Sequence, residues 1–488
     1  MPSYIQGHQR DQVLLLPESV DDYVSANDPV RLLDAFVDQL DLFKLGFRTR
    51  SAKANGRPSY APNSMIKLLI WGYLNRCKSS RELEKACYDR LGVIWLTGKI
   101  TPDHSTIADF RKSNANALQQ LLKEFNLCCM ELGLFSRELV AIDGTFIQAL
   151  NNKSKYFSKA KLKTLLDKIE KSIECYLQQL QDGDDDSSAP NGEHGDIHRK
   201  IEELRQRKQG YLEKLEQCEQ SPTGSLCKTD PEARPLKKGG QVIVGYNVQV
   251  AVDSSNKLVV CSDIVEAAND RRQLHFMSWY AKDTLGLGHP DVLKVTADSG
   301  YGTAAEAAKN EAINIENHVL FQNSSHENSN QFSREDFTHD MAADTLVCPQ
   351  GETLTRRKDK VEKATGTHYK IYASTKKQCA GCPRKHLCTS GDYRKTYINS
   401  NLAAEERSVR NTKEHPEIIG SRSSTVEHPF GVLKHVYFSS GLTCFGKAMA
   451  KAETGLGFLS YNIRRVIQLL GVVEMVNYLN IRRTLPRA

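Results

Sequence analysis

Apolar positions along this chain follow two rhythms, one of helical and one of strand period, and the places where they change mark out its parts. From Asp28 to Leu42, residues Leu32, Leu33, Phe36, Val37 and Leu40 recur at helical spacing. Gly56-Arg57-Pro58 interrupts the pattern. Helical rhythm resumes at Asn63 and holds to about Gly133, with Met65, Leu68, Leu69 and Tyr73 on one stripe. Ser79 and Glu82 have the spacing of a capping box. The stretch from Thr101 to Thr106 opens a further helix that turns Ile107 and Phe110 inward.

The rhythm then shortens. Leu139 to Ile142 is a continuous apolar run that reads as a central strand covered on both faces, delivering Asp143 at its end and closed by Gly144. The same device returns at Val292 to Gly300, where an apolar run ends on Asp298. Between them, Leu162, Leu166, Ile169, Ile173, Tyr176 and Leu180 keep heptad spacing, as do Ile197, Ile201, Leu204, Lys208, Tyr211 and Leu215. The acidic stretch Asp182 to Ser188 joins the two, so an inserted antiparallel helical hairpin is expected. Gly240 to Asp253 and Leu258 to Val265 read as strands joined at Ser254-Ser255-Asn256. Helices are expected over Asn269–Thr284 and Thr303–Ala312. Strands interleaved with helices in this order predict an α/β fold, a mixed sheet flanked by helices.

Residues 322–405 break the pattern with polar, Lys- and Arg-rich sequence, and residues 406–488 return to helix. Cys348, Cys379, Cys382 and Cys388 lie in the polar part. The close spacing of Cys379 and Cys382 suits one tetrahedral ion, with Cys348 and Cys388 completing a structural Zn²⁺ site. Free buried thiols are the other reading. Thirteen Cys in 488 residues, without the basic-then-apolar start of a secretory signal, argue for thiols or metal ligands over a disulfide framework. No apolar run approaches the roughly 18 residues of a membrane span. A cytoplasmic protein with no membrane partner is therefore expected. The net charge of +7 permits a polyanionic partner without requiring one. Lys67, Arg76, Lys78, Arg81, Arg111 and Lys112 fall among short helices in a layout like a helix-turn-helix, which could read DNA. An ordinary helical bundle with a solvated basic face fits that pattern equally.

A third acidic residue, Glu427, lies in Thr-Val-Glu-His-Pro-Phe-Gly-Val-Leu-Lys, with Arg422 before it and Lys434 after it. Three carboxylates from separate segments can hold divalent cations. Asp143 in Ala-Ile-Asp-Gly-Thr, Asp298 in Ala-Asp-Ser-Gly-Tyr and Glu427 in Val-Glu-His-Pro-Phe-Gly together resemble the DDE triad of bacterial insertion-sequence transposases. Thr229 to Arg234, Gly245 to Gln249, Phe445-Gly446, Glu453 and Tyr461-Asn462 are similar to stretches of a subgroup whose insert also carries the Cys cluster. Neighbouring families carry Tyr-x2-Arg-x3-Glu-x6-Lys. Here Lys434 keeps its spacing from Glu427, Arg422 stands one residue farther from Glu427, and Ile419 occupies the Tyr place.

The resemblance implies an RNase H-like core that cleaves DNA and transfers strands at the ends of an insertion sequence. Asp143, Asp298 and Glu427 would hold Mg²⁺ or Mn²⁺, and Arg422 and Lys434 would assist. It implies double-stranded DNA as partner, both the element's terminal inverted repeats and the target, a homo-oligomer, namely a dimer, in the DNA complex, and a bacterial protein associated with the nucleoid. The expected divisions are an N-terminal helical DNA-binding domain over 1–135 and the first part of the core over 136–321, with the hairpin at 157–220. A Cys-rich insert follows over 322–405, and a C-terminal helical part carrying the Glu over 406–488. A DNA-binding repressor would need the basic helices without the triad, and a plain metal-dependent nuclease would need the triad without strand transfer.

Overall fold

The computed structural model describes residues 19–48, 59–150, 156–184, 191–221, 224–227, 229–238, 240–321, 332, 336–340, 342–361 and 368–484. The Gly56–Pro58 breaker and the middle of the acidic stretch after Asp184 lie outside them.

Six helices come first: α1 (Pro29–Asp38), α2 (Pro62–Leu74), α3 (Ser80–Asp89), α4 (Leu91–Thr97), α5 (His104–Ser113) and α6 (Ala115–Glu131). Their starts follow local chemistry. Asp28 caps α1, Pro occupies the first turn of α1 and α2, Ser79 and Glu82 form the expected capping box on α3, and the Asp103 carboxylate accepts from the Thr106 N–H at the start of α5. The stripe residues Leu32, Leu33, Phe36 and Leu68 are fully buried.

β1 (Leu139–Gln148) begins the sheet. A short pair, β2 (Tyr156–Ser158) and β3 (Ser225–Cys227), closes the base of a hairpin of α7 (Lys159–Asp184) and α8 (Asn191–Gln220). Leu162, Leu166, Ile169 and Ile201 of the two heptad runs are buried. Next come β4 (Arg234–Lys238), β5 (Gln241–Asp253), β6 (Val259–Val265), α9 (Leu274–Thr284), β7 (Leu293–Ala297), α10 (Ala304–Glu311) and β8 (Ile315–Val319). The strand order is β6-β5-β1-β7-β8, with β4 pairing the first residues of β5. β5 runs antiparallel to β1 and β6, whereas β1, β7 and β8 are mutually parallel. Val140, Ala141, Ile142, Val250, Val252 and Val295 are buried in this mixed sheet.

A second, smaller sheet follows, built from β9 (Thr338–Asp340), β10 (Thr345–Val347), β11 (Thr353–Arg356), β12 (Lys360–Val361), β13 (His368–Ala373) and, after α11 (Lys376–Ala380), β14 (Lys395–Asn399). It has its own core of Phe337, Leu346, Leu354, Tyr372 and Ile398. The chain then returns through α12 (Leu402–Glu414), α13 (Pro416–Val432), a π-helical turn at Leu433–Tyr437, α14 (Lys447–Leu470) and α15 (Val472–Thr484). α13 packs across β1, β5 and β7, and α14 packs on α6 and α2. The N-terminal helices and the first sheet therefore share one apolar core.

Segments far apart in sequence meet in buried polar braces. The Tyr246 hydroxyl donates to the fully buried Asp230 carboxylate at 2.9 Å, and the Gly446 N–H donates to it at 3.3 Å. Glu453, also buried, accepts from the Thr443 hydroxyl and from the Thr443 and Cys444 N–H groups. Asn462 bridges β6 and Asn126 of α6. Buried polar groups of this kind must be paired to avoid a desolvation cost of about 1–3 kcal/mol each.

Candidate functional site

Asp143 does not sit at a strand end, as its apolar run suggested. β1 continues to Gln148 because β5 supplies partners throughout, from Val140 opposite Asp253 to Gln148 opposite Gly245. The pairing of β1 with β7, however, stops at Ile142 opposite Ala297. Asp143 therefore occupies the fork where β1 leaves β7, and Asp298, the residue after Ala297, turns away at the matching point. Parallel strands deliver the two carboxylates side by side.

Their fields overlap. Burial pushes the Asp143 carboxyl above the usual carboxylate range; the Gly144 N–H and the Arg422 guanidinium pull it down, while Asp270 and Asp298 push it up. The Arg422 Nη1 lies 3.4 Å from Asp143 Oδ2, with both side chains mostly buried. Arg422 projects from α13, so the helix that carries Glu427 docks on the sheet beside Asp143.

Glu427 itself is exposed. It stands five positions after Arg422, about 140° around an α-helix, while Thr425, Val426 and Phe430 take the buried face. The neighbouring His428 anchors this stretch through its Nδ1, 2.8 Å from the Tyr461 hydroxyl, which donates in turn to the Lys257 carbonyl. Lys434, the second residue of the π-helical turn, holds its ammonium 5.4 Å from the centre of the Phe430 ring. Thus Asp143, Asp298 and Arg422 come together, and Glu427 and Lys434 lie farther along the same helical segment.

A fourth acidic residue, Asp270, missed in the sequence, lies near enough to Asp143 to act on its charge. Asp270 lies in the polar lead-in to α9, a stretch expected to be helical from Asn269. Its Oδ1 accepts from Gln249 Nε2 at 2.7 Å and from Asn247 Nδ2 at 3.4 Å, and Tyr301 donates to the other end of the Gln249 amide. A Cβ on Gly144 would stand 2.5 Å from Gln249 Nε2 and 2.6 Å from Asp270 Oδ1, so glycine is what lets this network close under β1. The only sequence hint was the Gly-Tyr-Asn-Val-Gln run, whose Asn247 and Gln249 are polar yet buried on a strand.

Carboxylate oxygens with one arginine as counter-charge are the donor type that suits a hard divalent cation such as Mg²⁺ or Mn²⁺. In the small sheet, Cys348, Cys379 and Cys382 lie near enough to Cys388 to raise its thiol, on top of the larger effect of burial. Thiolates suit Zn²⁺. Among the described residues, no three His, Cys, Asp or Glu side chains gather into a metal-sized group at either place.

The basic residues of the N-terminal helices divide. Arg76, Arg81 and Lys112 are exposed. Lys67 is buried and paired with Asp34 at 2.5 Å and Asp38 at 2.6 Å. Lys78 is mostly buried, donates to the Gly441 carbonyl, and lies 3.9 Å from Glu453. The buried Arg111 donates to the Lys78 carbonyl. These three hold helices together and do not form an exposed basic face. Among the described residues, no helix is long and apolar enough to cross a membrane.

Two family models match parts of the chain. Residues 18–113 match a family model described as a transposase domain (DUF772), and residues 347–467 match one described as a transposase DDE domain. The second span holds the four cysteines, Glu427 and Lys434. No curated protein matches the chain. Among solved structures, a piggyBac transposase synaptic complex with hairpin DNA aligns at 9% identity and TM-score 0.31, over 95% of this chain and 83% of that one.

Proposed function

Because the chain belongs with the insertion-sequence DDE transposases, enzymes of DNA transposition, we propose that it cleaves DNA strands at the ends of its element and joins them to target DNA. The observation that carries this is the side-by-side placement of Asp143 and Asp298 by parallel β1 and β7, with Arg422 of the Glu427 helix on Asp143. The order β6-β5-β1-β7-β8, with three antiparallel strands and two parallel additions, supports an RNase H-like core.

Asp143 and Asp298 would hold divalent cations, with Glu427 brought in from α13 when DNA fills the cleft. When bound, such cations activate the attacking oxygen and stabilise the leaving 3′-oxygen of a phosphodiester. Arg422 offsets the charge of the buried Asp143, and Asp270 fixes the Gln249–Tyr301 pair beneath it. Lys434 would contact a backbone phosphate. In the first step, water adds to phosphorus and the 3′-oxygen departs with a proton; in the second, that 3′-hydroxyl attacks a target phosphodiester, the target's own 3′-oxygen departs, and the proton passes to it. Double-stranded DNA is thus the substrate, acted on by a dimer that pairs two element ends.

The Cys cluster would bind one Zn²⁺ that serves the fold of the small sheet, since four protein ligands leave no position for a reacting water. The exposed Arg76, Arg81 and Lys112 would contribute to end binding.

The test is metal-dependent cleavage and strand transfer on duplexes carrying the inverted repeats that flank the gene. Loss of both in Asp143→Asn and Asp298→Asn, with binding retained, is expected. Cleavage at the parent level in either variant overturns the assignment, and cleavage without joining identifies a nuclease.

A further inference from the structure

The small sheet turns a charged face outward. Across β13 and β14, Ile371 lies opposite Tyr397 and Ala373 opposite Lys395. Facing residues of an antiparallel pair share one side of the sheet. The alternate positions Tyr372 and Ile398 form the buried core, so Tyr397 and Lys395 look away from it. At the neighbouring edge, Lys360 pairs with Tyr369.

This outer face forms an open groove of about 470 Å³ whose lining includes Arg357, Lys358, Lys376 and Lys395 with Tyr393 and Tyr397, and no Asp or Glu. Four cations in one groove are a local concentration that the net charge of +7 over 488 residues does not suggest. Among the described residues, Lys376 alone of the four pairs with a carboxylate, Asp392 at 2.6 Å. The neighbouring Arg356, by contrast, is neutralised by Asp344 and Asp359. Two tyrosines steady the charges: Lys395 Nζ lies 5.1 Å from the centre of the Tyr393 ring, and Lys360 Nζ lies 5.7 Å from that of Tyr397.

We propose that this groove is a track for the phosphate backbone of DNA, separate from the carboxylate site. The proposal rests on the transposase reading and adds a second place where the chain grips its substrate. A long polyanion fits better than a small ligand, because the groove is open and its cations come from separate segments, the loop after β11 (Arg357, Lys358), the start of α11 (Lys376) and β14 (Lys395). Contacts of this kind add affinity without sequence preference and make binding salt-dependent.

The experiment compares the full-length protein with a Lys358→Ala, Lys395→Ala, Tyr397→Ala triple variant, all three residues being exposed. Anisotropy with an element-end duplex is followed across a salt series, beside thermal unfolding, the cleavage assay and competition by poly-glutamate. The variant should unfold like the parent, bind DNA more weakly, and show a log-log salt slope shallower by about 0.9 for each phosphate contact removed. If the parent binds and cleaves while the variant keeps its affinity and slope, the groove is not a DNA track and the transposase reading stands. If the variant loses only its affinity for poly-glutamate, the face receives an acidic protein and the proposal falls. If the parent neither binds nor cleaves element ends, both readings fall together.

Discussion

Asp143 and Asp298 follow one shared rung: each is the next residue after the last paired positions, Ile142 and Ala297, of parallel β1 and β7, where β1 goes on with β5 and β7 ends. Parallel neighbours run in the same direction, so residues that follow a shared rung emerge on the same edge. The consequence is a pair of carboxylates that repel when no cation is present, and Asp143 bears the cost because it is the more buried.

This sets a sign for stability against pH. The Asp143 carboxyl is raised in the folded protein, so its contribution is fully present below the ordinary Asp range, about 3.9, and is lost as pH rises through the raised value. Without metal, Asp143→Asn should therefore be more stable than the parent at neutral pH, and the difference should vanish in acid. Thermal unfolding in chelator across pH measures it. Adding Mn²⁺ should stabilise the parent and leave the variant unmoved.

Asp270 should matter without being one of the three expected metal ligands. It holds Gln249 and Tyr301 and adds to the charge at Asp143. Asp270→Asn is expected to reduce metal affinity or cleavage by about 10–100-fold, the scale for removing a residue that orients ligands. Its cleavage pH profile should also shift to lower pH, because one of the charges raising Asp143 is gone. A fall in activity with an unmoved profile would mean that Asp270 only supports the fold.

Glu453 and Lys78 join the N-terminal helices to α14. Burial lowers the Lys78 ammonium's pKa, and Glu453 opposes that shift. Glu453→Ala leaves the lysine in place with its neighbouring carboxylate removed, and should destabilise by about 3–5 kcal/mol. Replacing Lys78 by Met in the same protein should recover part of the loss. Chemical denaturation of the two variants reads this directly, and Lys78→Ala should not lower the salt slope of DNA binding.

For the cysteines, elemental analysis of purified protein should find about one zinc per chain. Cys382→Ser should then lower both zinc content and the stability of the small sheet, seen by limited proteolysis. Protein free of zinc whose stability is unchanged by this substitution would identify four ordinary thiols.

What the sequence by itself determined is what local physics determines. Heptads at Leu162–Leu180 and Ile197–Leu215 produced α7 and α8, capping chemistry started α3 and α5, and apolar runs became β1 and β7. Asp143 and Asp298 were legible because each is attached to its own strand. Tertiary structure decided the rest, through partners that periodicity does not encode. Lys67, Lys78 and Arg111 have the spacing of a basic surface, yet Asp34, Asp38, Glu453 and the Lys78 carbonyl take them inside. Asp270 reads as a loop residue until β5 brings Gln249 to it, and the fork at Asp143 exists only because β5 continues where β7 stops. The meaning of a polar side chain is set by what desolvates and pairs with it, and for these residues that partner lies in another part of the fold.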